Sequence, residues 1–559
     1  MPARRANRRV RLLLVGLLVV FAATLARAFW LQAVRAQSLS AMAQVQHRET
    51  VKLPARRGTI YDDKGFQLAI AEEATTVYAD PKQVRDPQAV ALAAAHDLGV
   101  EPNALYQRLQ DRSRDFVYVL RQADSDAAAR LRRRHLTGLG FYPEERRVYP
   151  QRSIAAQVLG YAGVDNNGLA GIELGLNRVL SGRPGEQTIV KDPFGQIIDV
   201  LNATRERPGV DVWLTVDHTL QATVESLLRQ AVHDWKAKDA TAIVLNPRNG
   251  AVLAMANAPT YDANRFPAIW PPHQRNQTVE STYEPGSTFK VVTVSGALSD
   301  GLVSPSSSFW LPPTIQVADR VIHEAEPRPA ETMTVAQILA HSSNVGAIRL
   351  AELLGKDRLA RWISRFGFGR KTGIDFPAES GGIVLPPAQW SGSTIGNVPI
   401  GHGIAVTPIQ MADAYAAIAN RGILVAPHLI DHIAGAPPVR TKRRRILSPH
   451  VAAQVAQMLR DVVIEGTGKR ASVPGYEVAG KTGTAAKTLP QGGYSNTKYV
   501  ASFVGFVPAT APRFVILVTV DEPQGSIFGG DVAAPVFQEI AKFALQYYGV
   551  PPDAPHPGR

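Results

Sequence analysis

Tyr283-Glu284-Pro285-Gly286-Ser287-Thr288-Phe289-Lys290 runs directly into Val291-Val292-Thr293-Val294, and the reading of the whole chain turns on this stretch. Pro-Gly followed by a hydroxyl residue signals a helix start. Ser287 and Lys290 are spaced i, i+3, so on a helix they share one face. A hydroxyl and an amine are thereby aimed at one point. A serine nucleophile needs that arrangement when lysine, in place of histidine, takes its proton. Alone the pair is a weak signal, because a second Ser-x-x-Lys occurs at Ser495 and Lys498.

Two further segments strengthen it. Ser342-Ser343-Asn344 lies between the helix-like run 334–340 and a second helical run from Gly346. Lys481-Thr482-Gly483-Thr484 lies inside the strand-like run 478–485. In that order, S-x-x-K, S-x-N and K-T-G form the signature of serine enzymes that react with penicillin. The decoys read differently. Ser495 falls in a Gly-rich turn between strand-like runs, and a second Lys-Thr-Gly at Lys371-Thr372-Gly373 reads as a loop running into Pro377. The active site is therefore assigned to Ser287, Lys290, Ser342, Asn344 and the strand 481–484.

The chain of 559 residues exceeds one ordinary domain, and 45% hydrophobic with 19% charged residues is a globular composition. Cysteine is absent, which excludes disulfides, a thiolate nucleophile and cysteine metal sites. No metal and no cofactor is expected. Arg4, Arg5, Arg8, Arg9 and Arg11 precede the apolar run 12–26, and counting through Leu31 gives twenty residues, enough for ~30 Å of hydrocarbon. Arg27 can snorkel and Trp30 suits an interface. The arginines predict a cytoplasmic N-terminus, with the remainder on the other side of the membrane. The rival reading is a cleaved signal peptide at Ala26-Arg27-Ala28, against which Phe29 and Trp30 argue.

Net charge is +13, with further basic runs at Arg130-Leu131-Arg132-Arg133-Arg134 and Arg440-Thr441-Lys442-Arg443-Arg444-Arg445. An extracytoplasmic address and the lack of interleaved aromatics argue against nucleic acid, so these runs read as solvated faces, with attraction to an anionic envelope polymer left open. Along the chain, a boundary falls at Arg205-Glu206-Arg207-Pro208-Gly209. A strand at 211–216 is followed by a helix over 218–237 capped by Asp217. Strands 241–246 and 251–256 flank the hairpin signal Asn249-Gly250. Strand-like runs 499–507 and 514–520 and a helix over 534–548 close the region. Strands at both ends with helices between predict an α+β domain with one antiparallel sheet and a helical insertion.

The residues match a family. The chain resembles the class B, monofunctional penicillin-binding proteins, and within them the septal cell-division branch. Arg57-Gly58-Thr59-Ile60-Tyr61-Asp62 resembles the family's R-G-x-I-x-D segment, Arg147-Val148-Tyr149-Pro150 its R-x-Y-P segment, and 168–173 its G-x-x-G-x-E segment. Ser153 departs from the glycine common after Tyr-Pro. Glu284 before Pro-Gly, Asn344, and the stretch 401–408 resemble the septal branch, with His402 replacing a glutamine. His402 reads as a polar structural residue rather than a base, and Arg57, Arg147 and Glu173 as bracing ion pairs.

The resemblance implies a β-lactamase-like transpeptidase fold, a sheet flanked by helices, on an elongated N-terminal pedestal behind a single transmembrane helix. It divides the chain into a cytoplasmic tail (1–11), an anchor (12–34), a dimerisation-type pedestal (35–208), a transpeptidase domain (209–550) and a tail (551–559). It also implies roles. Lys290, its pKa lowered by burial and by Lys481, takes the proton of Ser287. Ser342 relays it and Asn344 orients Lys290 and the substrate amide. Thr482, Gly483 and Thr484 belong to the substrate-binding strand, the two threonine hydroxyls holding a carboxylate beside Lys481. Backbone N–H groups of Ser287 and Thr484 form an oxyanion hole worth ~3 kcal/mol per donor. The implied reaction cross-links peptidoglycan stem peptides ending in D-Ala-D-Ala, and β-lactams acylate the same serine. The implied partner is a lipid-linked glycan polymerase of the FtsW type. An elongation-type transpeptidase, a β-lactamase or carboxypeptidase, a β-lactam sensor and a catalytically dispensable division scaffold are the alternatives.

Overall fold

The structure, a computed structural model, describes residues 3–35, 48–191, 197–268 and 271–554. The first two residues of the expected cytoplasmic tail, the beginning of the region after the anchor (36–47) and the end of the C-terminal tail (555–559) lie outside the described residues. The chain forms two compact units, one of residues 1–56 and 182–208, the other of residues 57–181 and 209–559.

In the first unit an α-helix, Ala3–Phe29, continues into a π-helical turn, Trp30–Val34. Its stretch Val10–Ala33 is long and apolar enough to cross a membrane, and none of it is buried. The guanidiniums of Arg27 and Arg35 lie 5.9 and 4.4 Å from the Trp30 ring centroid, a cation–π grouping suited to a membrane–water boundary. The same unit holds a three-stranded antiparallel sheet in the order Arg48–Leu53, Gly185–Lys191, Ile197–Thr204.

The second unit carries the three sequence signatures. Along the chain come α1 (His218–Asp234), β1 (Asp239–Leu245), β2 (Val252–Ala258), α2 (Lys290–Ser299), α3 (Val335–Ala340), α4 (Asn344–Leu354), α5 (Pro408–Ala419), α6 (Pro449–Ile464), β3 (Ala479–Thr488), β4 (Tyr494–Val507), β5 (Phe514–Asp521) and α7 (Gly529–Tyr547). The strands form one five-stranded sheet in the order β2-β1-β5-β4-β3, every neighbour antiparallel. The strands from the two ends of the region therefore close on each other, as expected for an α+β domain with a helical insertion. Successive side chains of a strand point to opposite faces. Accordingly Ile243 and Leu245 join the core on one side of β1 and Ala242 and Val244 the core on the other, where α1 and α7 pack.

Caps fix the helix starts. Asp217 accepts from the N–H groups of Thr219 and Leu220, and Thr334 and Thr407 make capping boxes with Gln337 and Gln410. Asp217 caps its helix as the sequence predicts. One expectation is corrected: Ser495 is not in a turn. It is a buried residue at the start of β4, whose Oγ accepts from the N–H groups of Thr497 and Lys498. The Gly-rich tract supplies the turn just before it.

Residues 57–181 of this unit supply the strands Ile60–Tyr61, Gln67–Ala79, Val117–Asp124 and Leu139–Val148. They share a sheet with Val212–Leu214 and Ile430–Ile433. In the same part of the unit the fully buried Glu173 accepts from Arg57 Nε and Arg147 Nε, both at 2.6 Å. Arg57 and Arg147 are committed to this brace.

Candidate active site

Ser287 sits in a single 3-10 turn, Gly286–Phe289, and the α-helix proper begins at Lys290. Gly286 is required twice over. Its φ is +55°, and a Cβ there would come within 2.7 Å of the Thr484 carbonyl oxygen. Gly483 has the same tightness from the other side, since its Cβ would lie 2.9 Å from the Pro285 oxygen. The Ser287 turn is thus pressed against β3, the strand that carries Lys-Thr-Gly. β3 is an edge of the sheet, and among the described residues no strand pairs with its other side.

The helix that follows is apolar all round. Val291, Val292, Val294, Ala297 and Leu298 are buried together with Thr293 and Ser295, the pattern of a core helix. Lys290 enters the interior at the head of this helix and is wholly buried. Its Nζ donates to the Ser342 carbonyl at 2.5 Å and to Asn344 Oδ1 at 2.7 Å, with Ser342 Oγ at 3.1 Å. Burial first, then the neighbouring Lys481 and Arg328 cations, hold this amine well below the ordinary lysine value, with Glu324 acting in the opposite sense. The Ser342 carbonyl and the Asn344 amide oxygen take two of its donors, and the Ser342 hydroxyl is its third contact.

Ser342 has φ +58°, a left-handed backbone that a non-glycine residue adopts at a cost of ~1–3 kcal/mol. That conformation turns both its carbonyl and its hydroxyl toward Lys290. Ser343 then caps α4, accepting from the Gly346 N–H. Asn344 Nδ2 donates to the His323 carbonyl at 2.9 Å, so its oxygen is the end presented to Lys290.

Lys481 is also fully buried, and burial pushes its ammonium down to about 7. Its Nζ lies 3.2 Å from Thr482 Oγ1 and 3.4 Å from Thr467 Oγ1, and these two hydroxyls are themselves 2.7 Å apart. Thr484 Oγ1 accepts the Gly529 N–H at 3.3 Å, which leaves its own hydroxyl proton to donate. A poised ammonium between hydroxyls is a receptor for a carboxylate.

Sequence reasoning missed several residues here. The principal one is Glu324, a buried carboxylate that accepts from Ser343 Oγ and the Asn344 N–H, both at 2.6 Å, while Arg328 holds it at 3.2 Å. It clamps the turn that presents Ser342 and Asn344. Its surroundings, Glu324-Ala325-Glu326-Pro327-Arg328-Pro329, read as a charged Pro-rich loop, and no spacing rule links it to Ser342. Thr467 was missed for the same reason. His402 Nδ1 lies 2.7 Å from Glu284 Oε2, and the same carboxylate accepts from the Gly403 N–H and the Tyr494 hydroxyl. A cavity of about 1070 Å³ opens beside this group, lined among others by Glu284, Gly403 and residues 485–488. The decoy Lys371-Thr372-Gly373 lies in a loop whose Thr372 and Gly373 N–H groups are held by Glu379.

Comparison with known proteins gives two family matches. Residues 240–542 match the penicillin binding protein transpeptidase domain and residues 52–214 the penicillin-binding protein dimerisation domain. The chain is 33% identical over 554 residues to the peptidoglycan D,D-transpeptidase FtsI of Escherichia coli K12, covering 98% of this chain and 93% of that one. It is 33% identical to the stage V sporulation protein D of Bacillus subtilis, covering 97% of this chain and 86% of that one. Among solved structures it is similar to penicillin binding protein 3 of Mycobacterium tuberculosis complexed with aztreonam, with a TM-score of 0.72 and 31% identity over 90% of this chain and 99% of that one.

Proposed function

This chain belongs to the class B penicillin-binding proteins, which join a dimerisation domain to a transpeptidase domain, and on that premise we propose how its residues perform the reaction and where. The enzyme is a serine-type D,D-transpeptidase that acts on peptidoglycan, and its family binds β-lactams. In our reading Ser287 Oγ attacks the carbonyl of the penultimate D-Ala of a stem peptide. The Ser287 proton passes to neutral Lys290, and from there through Ser342 to the nitrogen of the terminal D-Ala as the C–N bond breaks. The amine of a second strand then attacks the acyl ester, and Ser287 regains its proton as the cross-link forms. Backbone N–H groups of Ser287 and Thr484 receive the developing oxyanion.

The observation that carries this reading is the buried Lys290, held by Ser342 and Asn344 beside Lys481. The substrate carboxylate has a second task. Lys481, pushed down to about 7, is only partly charged near neutrality. A carboxylate held by Lys481, Thr482 and Thr484 keeps it charged, and that charge in turn keeps Lys290 neutral. Substrate extends along the free edge of β3, with Gly483 letting the Ser287 turn lie close to that strand.

The septal role rests on Glu284, Asn344 and the 401–408 stretch, and the elongation-type role is the second reading. The functional division we retain is tail 1–11, anchor 12–34, pedestal 35–208, transpeptidase 209–550 and tail 551–559. The exposed apolar helix anchors the chain in the inner membrane with the enzyme on the periplasmic side, where a glycan polymerase of the FtsW type is the partner. Covalent labelling of the full chain by a fluorescent penicillin tests the chemistry: wild type labels and Ser287→Ala does not. A fluorescent fusion at midcell supports the septal role, and one along the sidewall replaces it with the elongation role.

A further inference from the structure

Two features of the sequence that the reaction does not use, the decoy Lys371-Thr372-Gly373 and the basic run 440–445, come together in space. They line a cavity of about 480 Å³ whose lysine and arginine lining is Arg370, Lys371, Arg440, Lys442, Arg443 and Arg444. The short strand Arg443–Arg445 pairs with Ile423–Val425 and fixes one wall. Gln410 and Asp413, on the first turns of α5, also line it.

We propose that this cavity is a binding site for a phosphate-bearing anion, a pyrophosphate or phosphodiester group caged by four guanidiniums and two ammoniums. Among the described residues, no carboxylate lies in ion-pair contact with any of the six cations. The nearby acids are spent on the protein's own backbone. Asp375 accepts the Leu429 and Ile430 N–H groups at 2.6 and 3.0 Å, and Glu379 accepts those of Thr372 and Gly373 at 2.6 and 3.2 Å. Asp413 is buried, its Oδ1 has no hydrogen-bond partner, and burial holds its carboxyl well above the ordinary range.

The cations crowd one another. Burial, and then the neighbouring Arg370, push Arg444 below the ordinary guanidinium value, with Asp413 acting in the opposite sense. Arg444 and Arg370 each give one donor to a carbonyl, of Arg365 and Ser364 respectively, and a guanidinium has five donors in a planar fork. Clustered unpaired cations in a concave site attract anions strongly. The cavity is of a size that holds a small ligand, within the roughly 300–1,000 Å³ of such sites. One carboxylate would neutralise a single cation, whereas a pyrophosphate meets several at once.

The test titrates the purified full chain with inorganic pyrophosphate by calorimetry. Saturable binding is expected, weakened at least tenfold in the combined Arg440→Gln, Lys442→Gln, Arg443→Gln variant and weakened by salt. Fluorescent-penicillin labelling of the same variant at the wild-type level shows that the fold is intact. If that variant loses labelling, the single Arg440→Gln and Lys442→Gln variants carry the measurement. The combined Arg130→Gln, Arg132→Gln, Arg133→Gln variant, in the other basic run, keeps full affinity. No saturable binding, or equal loss in both sets of variants, overturns the proposal. The chain reconstituted in phosphatidylcholine vesicles, with or without phosphatidylglycerol, identifies the source. Weaker pyrophosphate binding with phosphatidylglycerol assigns the site to a lipid headgroup, and unchanged binding assigns it to a soluble phosphate compound.

Discussion

Lys290 and Lys481 are two amines in one dry site, and both are held down chiefly by burial. The pH dependence follows in sign from Lys290. The amine accepts a proton only when neutral, so the rate of acylation by a fluorescent penicillin rises with pH through the depressed pKa of Lys290 and declines as Lys481 loses the charge that holds the carboxylate, at about 7. A profile with no rising limb removes Lys290 from the role of base. Lys290→Met lowers the acylation rate by about 10²–10⁴-fold, the usual contribution of a positioned base. Lys481 also bears on stability. Between its folded value of about 7 and its ordinary 10.5, the unfolded chain binds the extra proton, so stability rises with pH across that window. Lys481→Met removes its share of that slope, Lys290 keeping the rest, and stabilises the protein by about 0.5–2 kcal/mol near pH 7 while losing activity, which urea unfolding at pH 7 and pH 9 measures.

At the scale of elements, the site depends on how three pieces are held. The 3-10 turn before α2, the α3–α4 turn and strand β3 come from distant parts of the chain. Glu324 fixes the second of these by bonding Ser343 Oγ and the Asn344 N–H. Glu324→Ala leaves those donors without their acceptor, costing about 1.5–3 kcal/mol, and slows acylation by allowing Ser342 to leave its left-handed backbone. Glu324→Gln keeps an oxygen for one of the two donors and retains more activity than Ala. Equal acylation by both variants and wild type would show that the clamp is irrelevant to the site. The first and third pieces are locked by Gly286. Gly286→Ala, with φ +55° and a backbone oxygen at 2.7 Å, separates the turn from β3 and removes penicillin labelling.

For the molecule as a whole, the part of the second unit formed by residues 57–181 is braced from within. Glu173 is fully buried between Arg57 and Arg147. Removing Arg57 leaves Arg147 to compensate the charge but takes the Arg57 donors from the buried Glu173 Oε2 and the Glu173 carbonyl, at about 1–3 kcal/mol for each acceptor left unmet. Arg57→Met therefore lowers the urea midpoint markedly, while acylation per folded molecule stays near wild type. The N-terminal helix makes a separate contribution. Deleting residues 1–33, which contain the wholly exposed apolar stretch, moves the protein from the membrane fraction to the soluble fraction and leaves penicillin labelling intact.

Local rules carried much of this. The i, i+3 spacing of Ser287 and Lys290, the hairpin signal at Asn249-Gly250, the Asp217 cap and the apolar N-terminal run depend on neighbours within a few residues, and interactions at that range are written in order along the chain. The same holds for the order of the three signatures, and hence for the serine chemistry and the antiparallel sheet. Tertiary packing alone decided the rest. It set the burial of both amines, the left-handed Ser342, the clamp by Glu324 and the meeting of residues 370–373 with 440–444 around one cavity. Each depends on groups far apart in sequence brought together by a core, where loss of water sets the charge states, and no local spacing encodes that distance.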